Sequence, residues 1–382
     1  MMNPRRLPPL PSSASSASAA DDMDPRVWRR LPQPLVDRIL ACLPTPSFLR
    51  LRAACRRFYH LLFSSPFLHS HLLLSPHLPF FAFVVPAAGH LLLLDPTATA
   101  SWSRLPLPLP PVAGGPAAFS PAAASAGLLA FLSDASGHKT LLLANPITRL
   151  LAALPISPTP RLSPTVGLAA GPTSIIAVVA GDDLVSPFAV KNISADTFVA
   201  DAASVPPSGF WAPSSLLPRL SSLDPRAGMA FASGRFYCMS SSPFAVLVFD
   251  VAENVWSKVQ PPMRRFLRSP ALVELGGGRE GTAARVALVS AVEKSRLSVP
   301  RSVRLWTLRG GGGGGAWTEV ARMPPEWRWA PPCPYVVVAH HGGAGAGAAG
   351  FRVFAYEPRL ATPAIGLLDA TAPVALHGMH DG

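Results

Sequence analysis

The chain has 382 residues, room for one small domain and one large one. Hydrophobic residues make up 49% and charged ones only 14%, which excludes a largely disordered chain, and 45 Pro and 29 Gly among short apolar runs favour strands and turns over long helices. The net charge of +12 rests on 33 basic residues, four of them Lys; it bears on solubility and encounter rates and defines no site by itself.

Cys42, Cys55, Cys238 and Cys333 show no paired spacing, and no His pattern completes a zinc site. Free thiols in a reducing compartment are expected, with no metal and no cofactor. The longest apolar run, residues 80–94, contains Pro86 and His90 and is too short to cross a bilayer. Residues 1–20 lack the apolar core of a secretory signal, so residues 1–25 read as a Pro/Ser/Ala-rich disordered tail on a soluble intracellular chain.

The first element is "LPQPLVDRILACLP", residues 31–44. Leu35, Val36, Ile39, Leu40 and Leu43 fall on one helical face, Pro34 suits the first turn, and Pro44 stops the helix. A second helix starts at Thr45–Pro46. The apolar residues of "SFLRLRAACRRFYHLLF" do not fit one stripe, so a break near Ala53–Cys55 is expected to divide them into two short helices. "SSPFLHSHL" (64–72) reads as a closing turn anchored by Phe67.

Three helices in about 40 residues are at the lower limit of independent stability. Such a unit needs further burial, either against the body of the same chain or against a partner. The stretch 26–60 also holds eight Arg (26, 29, 30, 38, 50, 52, 56, 57) against Asp37 alone, a balance of +7 that favours encounter with an acidic partner.

Residues 31–68 resemble an F-box. The likeness is carried by Leu31–Pro32, Ile39–Leu40, Leu43–Pro44, the run Leu49 to Arg52, the run Cys55 to Phe58, and Ser65 to Phe67. Ala54 stands where the family usually has Val, and Phe58 where Trp is commoner. The resemblance implies an Skp-type adaptor as partner and, through it, a cullin–RING ubiquitin ligase. It assigns adaptor binding to Leu31, Pro32, Leu35, Ile39, Leu40, Leu43, Pro44, Leu49, Leu51, Arg52, Cys55, Arg56 and Phe58. A non-catalytic role is expected.

From residue 77 a repeat appears. Residues 91–106, 141–155 and 246–261 share an apolar strand, an Asp or Asn, a turn, and a short segment with Trp or Leu closed by Pro. Residues 189–206 and 303–324 are looser versions, so the closing prolines fall at 106, 155, 206, 261 and 324. Steps near 50 match the kelch period. Earlier strands, "GLLAFL" (127–132), "SIIAVVA" (174–180) and "GRFYCM" (234–239), complete a four-stranded sheet per unit, and radial packing of such sheets gives a β-propeller in preference to a sandwich.

The rhythm fails at 316–334, where Trp317 to Pro324 closes one unit and "EWRWAPP" supplies a second Trp-to-Pro ending with no strands between. Most of one blade is expected to be missing there, with the strands "YVVVAHH" (335–341) and "FRVFAYEP" (351–358) packed on a damaged neighbour. The Gly runs at 310–315 and 342–350 lack the Lys-Ser/Thr of a phosphate loop.

The expected organisation is an all-α F-box of three short helices at 26–72, an all-β kelch-like propeller at 77–363 interrupted near 324–335, and a tail at 364–382. The combination resembles the plant Unusual-floral-organs/Fimbriata type of F-box protein and its grass counterparts. That likeness implies target recruitment by the propeller, a role in floral meristem identity, a LEAFY-type transcription factor as target, and a nuclear location, with the cytoplasm also open. The alternative is a non-degradative transcriptional cofactor or nucleic-acid-associated regulator. The Arg excess lacks the interleaved aromatics of a nucleic-acid groove, so direct nucleic-acid contact is not expected. An oxidase on a propeller would need a convergent Tyr/His/Cys site; with four Tyr and no clustered His, His340–His341 is the nearest approach.

Overall fold

A computed structural model describes residues 30–75, 80–85, 89–95, 101–107, 119–134, 137–171, 174–182, 193–201, 209–217, 223, 228–241, 244–263, 267–275, 285–292, 302–309, 315–322 and 352–356. The helical part comprises α1 (Gln33–Ala41), α2 (Thr45–Leu51), α3 (Arg56–His60), a 3₁₀ turn (Leu61–Phe63) and α4 (Ser65–Leu74). Helices α1, α2 and α4 each carry a proline in the first turn, where no intrahelical N–H is lost. The chain bends through Arg52–Ala54 where the apolar stripe fails, as its pattern predicts.

The expected turn at 64–72 is instead helix α4. Pro66 starts this helix rather than stopping one, and Phe67 anchors it with 5% exposure. The rings of Phe48 and Phe67 lie 5.0 Å apart, with His71 close to both, over Val36, Leu40, Ala41 and Leu61. Ser75 Oγ donates to the Leu43 carbonyl at 2.8 Å, tying the end of α4 to the end of α1.

Beyond the helices, the described residues form a β-propeller of five four-stranded antiparallel sheets. The first sheet holds β1 (Phe80–Val85), β2 (His90–Asp95), β3 (Ser101–Pro106) and the last strand of the chain, β20 (Arg352–Tyr356). The second holds β4 (Phe119–Ser125), β5 (Leu128–Ser133), β6 (Leu141–Asn145) and β7 (Leu150–Ala153). The third holds β8 (Thr165–Ala170), β9 (Ser174–Asp182), β10 (Ile193–Asp201) and β11 (Gly209–Pro213). The fourth holds β12 (Met229–Ala232), β13 (Arg235–Ser241), β14 (Phe244–Asp250) and β15 (Val255–Val259). The fifth holds β16 (Leu267–Leu275), β17 (Arg285–Val292), β18 (Ser302–Arg309) and β19 (Ala316–Arg322). Strand β20 packs on β4, β4 on β8, β8 on β12 and β12 on β16, so these five strands line the centre of the ring.

The repeated grammar of the sequence has a local cause. Asn145 Oδ1 accepts the N–H groups of Ile147 and Thr148, and Asp250 Oδ1 accepts those of Ala252 and Glu253. Four residues after each of these side chains, Arg149 and Asn254 take up positive φ (61° and 52°) and close the hairpin to the outer strand. In two of the three earlier strands the preceding Gly is the second residue of a two-residue turn with both φ positive, Ala126–Gly127 and Ser233–Gly234, the twist that suits a tight hairpin.

In the third, fourth and fifth sheets the Trp before the closing Pro ties one sheet to another. The Trp211 indole donates to the Pro155 carbonyl at 2.7 Å, Trp256 to Ser214 Oγ at 3.1 Å, and Trp317 to the Gln260 carbonyl at 2.7 Å. Each bond runs from the outer strand of one sheet to the residues that follow the outer strand of the sheet before it.

Two expectations need correction. The third unit closes at Pro213, not Pro206: β10 runs to Asp201, and the outer strand is the later "GFWAP" (209–213). The strand expected at 351–358 forms over 352–356 but joins the first sheet beside β1, because the chain enters that sheet at its second position and leaves the central one open. The interruption near 324–335, the strand at 335–341 and His340–His341 lie outside the described residues.

Candidate functional site

The helical unit is not self-contained. Its core includes Ile147, 8% exposed, from the β6–β7 hairpin, and Leu105 of β3 packs on the same cluster. Both belong to outer parts of their sheets, so the helices sit on the rim where the first and second sheets meet. Asn145 orients this contact, since its turn presents Ile147 at the hairpin tip. The signal in the sequence was an apolar residue where a hairpin tip would ordinarily be polar.

The propeller does not cover the whole unit. Leu35 is 44% and Leu51 39% exposed, with Tyr59 at 48% and Phe63 at 67%, and Pro32 and Pro34 are also exposed. The helical unit therefore keeps apolar side chains in solvent that the propeller does not bury.

The predicted adaptor residues divide by position. Pro32, Leu35, Leu51, Cys55 and Arg56 are exposed, and Leu31, Ile39, Leu43, Pro44, Leu49, Arg52 and Phe58 are half-buried. Leu31, Leu43, Leu49 and Phe58 lean on the core from its edge. Leu40, only 3% exposed, lies inside that core and supports the surface from beneath. Of the basic residues, Arg57 is engaged within the chain, its Nη2 2.5 Å from Asp37 Oδ1, while Arg38, Arg50 and Arg56 are exposed.

Elsewhere the described residues hold no cluster of His, Cys, Asp or Glu able to bind a metal ion. An open groove of about 220 Å³ between the third and fourth sheets is lined by Val199, Phe210, Phe249, Val251 and Asn254, and no titratable group enters it. The buried charges have structural partners. Arg161 meets Asp196 at 2.5 Å between the second and third sheets, and burial lowers the pKa of Lys139. Burial also pushes the Cys238 thiol up to about 12, which leaves it a protonated packing residue.

The F-box domain family matches residues 28–70, which take in the Pro-started helical unit docked on the propeller rim, and makes this an F-box protein. The chain is 88% identical to Protein ABERRANT PANICLE ORGANIZATION 1 of Oryza sativa subsp. japonica, over an alignment of 432 positions that takes in the whole of both chains. It is 38% identical to Protein UNUSUAL FLORAL ORGANS of Arabidopsis thaliana over 421 positions, 92% of this chain and 90% of that one. The chain belongs to this family of plant F-box proteins. Among solved structures it is similar to a Synechocystis apocarotenoid oxygenase mutant at 12% identity and a TM-score of 0.33, covering 60% of this chain and 58% of that one, a likeness too slight to carry any argument.

Proposed function

We propose that this chain is the substrate-recognition subunit of an Skp–cullin–F-box ubiquitin ligase that acts in flower and inflorescence development. The helical unit holds the adaptor and the propeller holds the target. The observation that carries this reading is the division of the F-box face. One part packs on Ile147 and Leu105, which fixes its place on the rim, and another leaves Leu35 and Leu51 in solvent. The chain itself contributes no catalysis in this role. The likeness to the Unusual-floral-organs type supports a LEAFY-type transcription factor as the target and a nuclear site of action.

The test is adaptor capture with Leu35→Asp and Leu51→Asp. Both side chains are exposed, so the fold survives. Buried apolar anchors at an interface are worth about 2 kcal/mol or more each, so adaptor affinity should fall at least about thirtyfold per substitution. Target binding should be unchanged. Adaptor binding that persists in the double variant overturns the reading.

A further inference from the structure

The hairpin that leads to the outer strand differs in the third sheet from the same hairpin in the other four. Four pairs across it correspond: Leu94 with Trp102, Ala144 with Leu151, Phe249 with Trp256 and Leu308 with Trp317. One step nearer the tip, each of these sheets places a charged or amide side chain: Asp95, Asn145, Asp250 and Arg309. In the third sheet Phe198 pairs with Trp211 in the same way, but the next pair is Val199 with Phe210, and the ladder runs on to Ala200 opposite Gly209. An apolar pair thus occupies the position that is polar in every other sheet.

The propeller does not bury that pair. Phe210 is 80% and Val199 49% exposed. Side chains alternate along a strand. Phe198 and Trp211 pack toward the second sheet, so Val199 and Phe210 lie on the opposite face, toward the fourth. There they line the open groove of about 220 Å³ with Phe249, Val251 and Asn254. Leu216 and Val255, at 82% and 52% exposure, extend the apolar surface at its mouth. They are placed there by Asn254, which precedes Val255 and whose Oδ1 accepts the N–H of Ser215 at 3.2 Å.

Size and charge select the occupant. Pockets for whole small molecules measure about 300–1,000 Å³. A groove of about 220 Å³ suits one large side chain, the usual form of an anchor in a protein interface. With Oδ1 of Asn254 taken by Ser215, its Nδ2 is the donor that this side chain offers at the mouth. The charged residue of the turn 251–254 is Glu253, which is exposed, so the mouth complements a cation.

The groove also lies on the rim that carries the F-box. Ile147, in the β6–β7 hairpin, packs in the F-box core. The β14–β15 hairpin, which supplies Val251 and Asn254, is the counterpart of that hairpin two sheets further round the ring. A chain seated in the groove is held on the F-box side of the propeller.

We propose that this groove is where the propeller holds its target, by an extended protein segment that inserts one leucine or aromatic side chain between Phe210 and Val251. A backbone carbonyl of the segment accepts from Asn254 Nδ2, and a Lys or Arg that follows the anchor meets Glu253. The assignment rests on the reading of the propeller as the target-holding part of a ligase subunit.

The probe is an array of capped octapeptides, each with one Phe or Leu anchor followed by Lys or by Glu, tested against the full-length chain. Wild type should retain the anchor–Lys peptides about threefold more strongly than the anchor–Glu peptides. Phe210→Asp should weaken retention at least about tenfold. Val320→Asp, at a side chain 51% exposed in the fifth sheet, should change nothing. Glu253→Lys should reverse the preference of Lys over Glu. Should Phe210→Asp not fold, Glu253→Lys decides alone, and an unchanged preference overturns the proposal. Peptides that are not retained, or that wild type and Phe210→Asp retain equally, overturn it too. So does a dimer that Phe210→Asp dissolves, which would make a second copy the occupant. Adaptor capture is measured in parallel and should be equal in all variants; its failure in wild type would strike the ligase reading, while the peptides still decide the groove.

Discussion

The guanidinium of Arg161 lies 2.5 Å from the carboxylate of Asp196, with side-chain exposures of 0% and 3%. Arg161 belongs to the crossover from β7 to β8, and Asp196 to β10. Ser157 and Thr159 also donate to the carboxylate, and Arg161 donates to Ser194 Oγ at 2.7 Å. The pair pins the crossover to the third sheet. Removing one partner from a buried pair leaves an uncompensated charge and costs about 3–5 kcal/mol, whereas apolar replacement of both is nearly neutral. Asp196→Ala should therefore unfold far earlier in urea than wild type, and Arg161→Met with Asp196→Leu should recover most of the loss. A double variant as unstable as the single one would show that the cost lies in packing, not charge.

Ile147 couples the F-box to the propeller. Ile147→Ala removes buried methyl groups from a hairpin tip that can partly collapse, so a cost of about 2 kcal/mol is expected, at the lower end of such truncations. Its distribution is the diagnostic part. Amide exchange should accelerate through α1 and α4 while the strands of the third and fourth sheets keep their protection. Uniform acceleration across the chain would mean that the F-box has no local stability of its own.

How far this architecture could be read beforehand depended on whether a signal was local. The Asp/Asn turn and the Gly-led strands were legible because each reports a hairpin closed within a few residues, through Asn145, Asp250, Gly127 and Gly234. The Pro-started helices were legible for the same reason. Pro206 misled because it follows nine-residue β10 across a longer connection, so the true outer strand with Trp211 came later. Helix α4 was missed because Pro66 reads equally as a stop or a start. The docking of the F-box on Ile147 and Leu105, and the burial of Leu40 within the supposed surface, were out of reach. They depend on which parts of two distant sheets meet the helices, and no local pattern encodes that.

The described cysteines should separate by reactivity. Cys42 and Cys55 are exposed, while Cys238 is buried at the core between the third and fourth sheets. Alkylation at pH 8 should modify the first two in the native protein and reach Cys238 only on unfolding. The raised thiol also predicts an alkaline effect. With its folded value pushed up to about 12, the native state keeps the proton above pH 9 while the unfolded chain releases it, so stability falls as pH rises through that window. Cys238→Ala should start less stable because of the cavity, yet lose less stability between pH 9 and 11. An identical slope in both proteins would exclude the thiol as the cause.

Asp250 predicts the opposite, acid limb. Its Oδ2 accepts Arg235 Nε at 2.7 Å while Oδ1 holds the turn through Ala252 and Glu253. The Arg235 hydrogen bond, foremost, keeps the carboxyl below the usual carboxylate range, with the two backbone N–H bonds adding to it. A lowered folded pKa stabilises the native state above the unfolded value, about 4, and that contribution disappears as pH falls through the folded one. The pair is partly exposed, at 30% and 21%, so its ionic share is small, about 1 kcal/mol or less. Asp250→Asn separates the two tasks of this side chain. The amide oxygen can still accept the turn N–H groups, as Asn145 does at the equivalent hairpin of the second sheet, but no charge remains for Arg235. The variant should keep its fold at pH 7, lose a little stability there, and draw closer to wild type as the pH falls and Asp250 takes up its proton. A deficit that stays constant from pH 7 to pH 3 would show that the carboxylate acts only as a turn acceptor, with no contribution from its charge.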